Sequence, residues 1–217
     1  MPIQEHRVNY QTSNSFSTLN ELTDSTKNIW FVFHGMGYLS RYFLRYFGQL
    51  DPSENFIIAP QAPSKYYQGT AFKHVGASWL TKEETKNETA NVLSYVQAVA
   101  DQFNLNNDPR LIVMGYSQGV SIATRWMASQ KVAAKMLLLH SGGIPVELVP
   151  KDFEYLPKHM PVVYLYGDND QYITEARKTE QALIGSKLFG EQLEVVVFKG
   201  VHEVNTHYLT SISKNYL

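Results

Sequence analysis

Six short runs of nearly uninterrupted apolar residues constrain the fold most: Ile29 to Phe33, Phe56 to Ala59, Leu111 to Met114, Met136 to Leu139, Val162 to Tyr166 and Leu193 to Phe198. Runs of this length, without regular apolar and polar alternation, fit strands buried on both faces. Between several of them the apolar spacing changes to three and four residues. Val92, Tyr95, Val96, Val99 and Phe103 form the clearest helical stripe, and Thr81 with Glu84 reads as a capping box before it. Ile122, Ala123, Trp126 and Met127 mark a second helix, Ala176, Thr179 and Leu183 a third, and Val204, Tyr208 and Ile212 a terminal one. Strands alternating with helices imply an α/β sandwich, a mostly parallel sheet covered on both faces that binds ligands beyond the carboxyl ends of its strands. The segments His6 to Gln11 and Ser15 to Leu19 add an antiparallel N-terminal edge hairpin, for a sheet of about seven or eight strands.

With 217 residues, 44% of them hydrophobic, the chain is long enough for one sizeable core and short for two, so a single domain over residues 1–217 is expected. No Pro- or Gly-rich linker, repeat or low-complexity tract interrupts it. The 19 basic and 20 acidic residues nearly cancel, which removes the electrostatic case for nucleic acid or an anionic membrane as main partner. The first seven residues lack a signal-peptide core and no apolar run reaches membrane length, so a soluble cytoplasmic protein without integral membrane association is the expectation. The absence of cysteine excludes disulfides, a thiol nucleophile and thiolate metal sites. Asn87-Glu88-Thr89 matches a glycosylation sequon but reads as ordinary helix surface.

The third run leads into Gly115-Tyr116-Ser117-Gln118-Gly119, and a helical stripe follows. A Gly-x-Ser-x-Gly sequence at a strand-to-helix turn presents a serine on a strained corner, with glycines where strand and helix approach too closely for side chains. The pattern alone arises by chance often enough that its surroundings must decide. Upstream, the first run ends in His34-Gly35-Met36-Gly37, whose glycines allow backbone N–H groups to turn toward a ligand. The amides of Met36 and Gln118 are therefore the expected oxyanion donors, one from the upstream loop and one following the nucleophile. His34 is read as packing beneath that loop.

Two further chemistries meet at the carboxyl edge of the sheet. The fifth run ends in Gly167-Asp168-Asn169-Asp170, where either aspartate could orient a histidine and one at least is expected to form the turn. His202 follows the sixth run and can serve as base to Ser117; His207 lies within the terminal helical pattern and is the weaker candidate. His202 and His207 also mimic a zinc helix, but five helical positions turn the two rings about 140° apart, so no zinc site is expected. Asp168-Asn169-Asp170 suggests no third cation ligand. No metal and no cofactor is expected.

Together, His34-Gly35-Met36-Gly37, Gly115 to Gly119, Gly167 to Ile173 and His202 make the chain resemble the α/β-hydrolase superfamily from about Ile29 to the C-terminus. Its small size, Ala59-Pro60-Gln61-Ala62-Pro63 and Trp79 look like the phospholipase/carboxylesterase family, which includes acyl-protein thioesterases. The resemblance implies a three-layer α/β-hydrolase sandwich without a separate cap domain. It also implies a Ser-Asp-His triad whose acid lies three residues after a glycine and three before a small apolar residue; Gly167, Asp170 and Ile173 match, which selects Asp170. Tyr38 replaces a common acidic residue after His-Gly-x-Gly, and Trp79-Leu80-Thr81 replaces Trp-Phe-Asp.

The expected function is hydrolysis of a carboxylic ester or thioester through an acyl-enzyme formed on Ser117, with Asp170 and His202 completing the triad. Alternatives are a non-catalytic small-ligand receptor or scaffold on the same fold, or an acyltransferase or peptidase with the same triad. Tyr38, Tyr66, Tyr67, Phe72, Trp79 and Ile144 are the expected pocket walls, with residues 63–79 read largely as a loop. The short stretch from Gly143 to Met160 leaves the cleft accessible to a small ester or thioester, or to an acyl group carried on something larger.

Overall fold

Along the central strands, successive side chains enter opposite faces of one sheet, which is why these runs tolerate no polar position. The computed structural model describes residues 2–215, so Met1 and residues 216–217 of the expected domain lie outside the described residues. The elements are β1 Phe16–Leu19, β2 Asn28–Phe33, α1 Ser40–Phe43, β3 Asn55–Pro60, β4 Ser64–Gln68, β5 His74–Ser78 and α2 Thr85–Gln102. The chain continues through β6 Leu111–Tyr116, α3 Gln118–Gln130, β7 Met136–His140, β8 Val162–Gly167, α4 Glu175–Phe189, β9 Leu193–Phe198 and α5 Thr206–Asn215. Among the described residues, seven strands form the main sheet in the order β1-β3-β2-β6-β7-β8-β9. Only β1 runs antiparallel to its neighbour; the other pairings are parallel.

Ile29, Phe31 and Phe33 of β2 pack into one core with Val92, Val96 and Val99 of α2 and Ile122, Trp126 and Met127 of α3. Trp30 and Val32 enter the opposite core with Phe43, Phe47, Leu209 and Ile212. The result is a three-layer α/β sandwich, with β1 as its antiparallel edge. Trp126 ties α3 to the sheet: its ring meets Phe31 edge-on at 4.9 Å, and its Nε1–H donates to Gln97 Oε1 at 2.9 Å. Truncating a buried ring of that kind ordinarily costs about 3–5 kcal/mol, so the helix behind Ser117 is firmly anchored.

Four local readings differ from expectation. His6 to Gln11 forms no strand, because Val8 and Tyr10 are about 80% exposed and find no face to cover. Residues 63–79 are largely an antiparallel hairpin, β4 paired with β5 from Ser64 opposite Ser78 to Gln68 opposite His74. Thr81 and Glu84 form no capping box: Thr81 Oγ1 accepts the Glu83 amide, Glu84 adopts a left-handed conformation, and α2 begins one residue later. β9 lies at the sheet edge with Val195 and Val197 half exposed, rather than buried on both faces. Asn87 falls on the exposed face of α2, as expected. Among the described residues no helix is long and apolar enough to cross a membrane.

Candidate active site

Ser117 sits at the corner between β6 and α3 with φ 53° and ψ −119°, a conformation that side-chain-bearing residues rarely adopt. Its neighbours explain how the corner closes. A Cβ on Gly119 would lie 2.0 Å from the Phe33 carbonyl oxygen, and one on Gly115 would lie 2.4 Å from Val120 Cα, so strand and helix meet only through glycine. The Ser117 amide continues the sheet by donating to the His140 carbonyl at 2.8 Å. The strained corner therefore projects the hydroxyl beyond the strand ends.

Three loops from different strands converge there. His202 Nδ1–H donates to Asp170 Oδ2 at 2.8 Å, which leaves Nε2 to accept the Ser117 hydroxyl at 3.0 Å. Asp170 is buried, with its side chain wholly enclosed, and its second oxygen accepts the Tyr172 amide at 2.9 Å. Asp168 is used differently: Oδ1 accepts Gly200 N–H at 3.0 Å and Asn169 Nδ2 at 2.9 Å, which braces the two loops without addressing the imidazole. A hydroxyl, an imidazole and an enclosed carboxylate in series can move a proton from oxygen to Nε2 while the carboxylate stabilises the resulting imidazolium.

The His34–Gly37 loop lies against this chain. A Cβ placed on Gly35 would sit 3.2 Å from Ser117 Cβ, and the β4–β5 hairpin clamps the other side of the loop. Gly37 N–H donates to Ala77 O and Gln68 Nε2 donates to Gly37 O, both at 2.8 Å. Gln118 starts α3, where the first amides have no acceptor within the helix. Its side chain meanwhile accepts Trp79 N–H at 2.8 Å and donates to the Leu80 carbonyl at 2.7 Å.

Sequence reasoning missed three supports. Tyr116 and Tyr172 flank His202 with ring centroids at 5.2 and 4.7 Å, and the Tyr116 hydroxyl donates to the His202 carbonyl at 3.1 Å. His140 is fully buried, and its Nε2 accepts the Asn205 amide at 3.0 Å, which anchors the loop that carries His202. A polar residue ending the apolar run Met136 to Leu139 was the available signal. His34 has the structural role expected of it: its Nδ1–H donates to Gly35 O at 2.8 Å and its Nε2 accepts the Ala62 amide at 3.1 Å.

Two expected pocket residues lie elsewhere. Trp79 is fully buried, its Nε1–H donating to the His34 carbonyl at 2.8 Å, so it supports the loop from beneath. Ile144 is buried in the core near Gly185, and its amide donates to Gln181 Oε1. In sequence Trp79 reads as part of an aromatic loop and Ile144 as part of a short segment covering the cleft; burial in the core removes both from it. Tyr66, Tyr67 and Phe72 belong to the exposed hairpin, and Tyr38 faces the cleft between that hairpin and α1. Among the described residues no group of side chains is arranged to hold a metal ion.

Burial gives the two supporting histidines a measurable signature. Desolvation lowers His34 to about 4 and His140 to about 3, from an ordinary 6.5. Between pH 6.5 and about 4 the unfolded chain binds protons that the native chain does not, so stability falls as the pH falls. For His34 the loss amounts to at most about 3 kcal/mol. Urea unfolding over this range should show that slope, and His34→Asn should reduce it by about half whatever its absolute stability, with His140 supplying the rest; a flat parent profile would contradict the neutral buried state.

The architecture is the α/β-hydrolase fold. A family model described as Serine hydrolase (FSH1) matches residues 49–209, and the chain belongs to that family. It is a serine hydrolase by that membership. The match includes Ser117, Asp170 and His202 and begins after the His34–Gly37 loop. No curated protein matches the chain by sequence.

Solved structures of similar fold include a phospholipase/carboxylesterase from Dyadobacter fermentans, at 18% identity and TM-score 0.67, covering 95% of this chain and 98% of that one. Esterase PE8 matches at 20% identity and TM-score 0.70, covering 95% and 100%. Acyl-protein thioesterase 2 of Zea mays matches at 15% and 0.65, covering 93% and 97%.

Proposed function

We propose that this serine hydrolase cleaves carboxylic esters or thioesters through an acyl-enzyme, with Ser117 as nucleophile, His202 as base and then acid, and Asp170 as the carboxylate that orients the imidazole. The observation that carries the reading is the continuous hydrogen-bond chain Ser117–His202–Asp170, at 3.0 and 2.8 Å. Attack by Oγ on the substrate carbonyl transfers the hydroxyl proton to Nε2, and that proton then leaves with the alcohol or thiol. Water repeats the sequence on the acyl-enzyme and releases the acid. The amides of Met36 and Gln118 are the proposed oxyanion donors, with each such donor ordinarily worth about 2.7–4 kcal/mol of transition-state stabilisation. Small esters are the proposed substrates, as are acyl groups carried on a larger molecule.

A fluorophosphonate probe tests the assignment directly. Its phosphorus should bond to Ser117 Oγ with loss of fluoride, and peptide mass analysis should place the adduct within the Gly115–Gly119 segment. A folded protein left unlabelled, or labelled only at another serine, would overturn the nucleophile.

A further inference from the structure

Beside the oxyanion loop lies a second feature that ester hydrolysis alone does not require. A half-open cleft of about 300 Å³ separates the loop from α1 and the β4–β5 hairpin, lined among others by Gly37, Tyr38, Arg41, Tyr42, Lys73 and His74. That volume is at the small end of ordinary ligand sites. No aspartate or glutamate lines it. Neither Arg41 nor Lys73 takes part in an ion pair among the described residues, although Arg7, Lys27, Arg110, Arg125 and Lys178 all do. The chain as a whole carries a formal charge of −1, so this concentration of unpaired cations is local.

The cleft is also organised. The Arg41 guanidinium lies 4.8 Å from the centroid of the Tyr42 ring and Arg45 lies 4.7 Å from the same centroid, so the aromatic ring restrains both heads. A Cβ on Gly76 would fall 2.6 Å from Gly37 O, so only glycine lets the hairpin carrying Lys73 and His74 approach this closely. The cleft adjoins the loop that approaches Ser117: a Cβ on Gly35 would lie 3.2 Å from Ser117 Cβ, and Gly37, which lines the cleft, is at most about 7 Å from Gly35 along the chain.

We infer that this cleft is a specificity subsite for an anionic group, a carboxylate or phosphate, borne by the ester substrate, with Arg41 and Lys73 as its principal ligands. The inference rests on the esterase reading above and deepens it. Arg41 offers paired N–H donors suited to a carboxylate or phosphate edge, and Lys73 adds a mobile ammonium; both are exposed, so an anion entering the cleft can reach them. An uncharged acyl chain would leave these cations without a partner, whereas an anion satisfies them and aligns the scissile carbonyl with the loop.

Two matched pairs of esters test this and locate the anion. Mono-p-nitrophenyl glutarate against p-nitrophenyl pentanoate places the charge on the acyl side; 4-acetoxybenzoate against its methyl ester places it on the alcohol side. In at least one pair the anionic ester should have a kcat/KM about tenfold higher, and Arg41→Gln combined with Lys73→Gln should return that ratio toward one. Added salt should erode the preference of the parent, and added phosphate should compete beyond its ionic-strength effect. Ratios near one in both pairs, or a preference untouched by the double variant and by salt, would overturn the subsite alone. Absence of turnover for all four esters together with absence of fluorophosphonate labelling would overturn the esterase reading beneath it.

Discussion

On the proposed mechanism, replacing Ser117 with alanine should lower kcat for a p-nitrophenyl ester by at least about 10⁴-fold, because the acyl-enzyme would lose its nucleophile and only carbonyl binding would remain. The variant should keep its fold. The hydroxyl makes one bond, to His202 Nε2, while the backbone corner is held by the Ser117 amide on His140 and by the glycine contacts on either side. A second substitution distinguishes a catalytic loss from collapse of the turn. Ser117 holds φ 53° and ψ −119°, strain of a kind that ordinarily costs about 1–3 kcal/mol, and glycine adopts positive φ with little penalty. Ser117→Gly should therefore be as inactive as Ser117→Ala yet unfold at a higher urea concentration. Turnover retained by both would sink the nucleophile, and an alanine variant more stable than the glycine one would sink the account of the corner.

The central strands were legible because burial on both faces leaves a mark that needs no partner to interpret: Ile29 to Phe33 and Leu111 to Met114 admit no polar residue. β9 carries the same kind of run, yet it is an edge strand with Val195 and Val197 half exposed. Composition cannot distinguish a strand covered on two faces from one covered on a single face when valine fills both. The hairpin was harder still. β4 is exposed throughout, and an isolated two-strand ribbon is marginal in water. Its position depends on Gly37 and Gln68, residues from separate segments whose contact no periodicity announces.

At the site, legibility followed local geometry. Gly115 and Gly119 are needed by a turn five residues long, so the pentapeptide declares them. His140 is needed by Asn205, which lies 65 positions away, and its neighbours in sequence describe only a strand end. Trp79 supplies the converse error: at the end of an aromatic segment read as a loop it suggests a pocket wall, whereas its indole N–H donates to the His34 carbonyl inside the core. Residues whose roles are fixed by strand-to-helix sterics could be read directly. Those whose roles are fixed by a distant hydrogen-bond partner could not.

The two aspartates after β8 make the sharpest distinction available. Asp170→Asn should reduce kcat by about 10⁴-fold, and the cause is a tautomer. Asp170 Oδ1 faces a donor, the Tyr172 amide, so an asparagine there must present its carbonyl to Tyr172 and its amide nitrogen to His202 Nδ1. Nδ1 must then accept, the ring proton moves to Nε2, and Nε2 can no longer take the proton of the Ser117 hydroxyl. Shape, burial and most packing are unchanged, so stability should fall far less than rate. Asp168→Asn retains a carbonyl oxygen for Gly200 N–H and touches no part of the imidazole, and its rate should change less than about tenfold. Parallel measurement of kcat and urea midpoint for both variants decides the assignment: a larger rate loss at Asp168 would move the acid there, whereas equal small losses would remove the carboxylate from the mechanism.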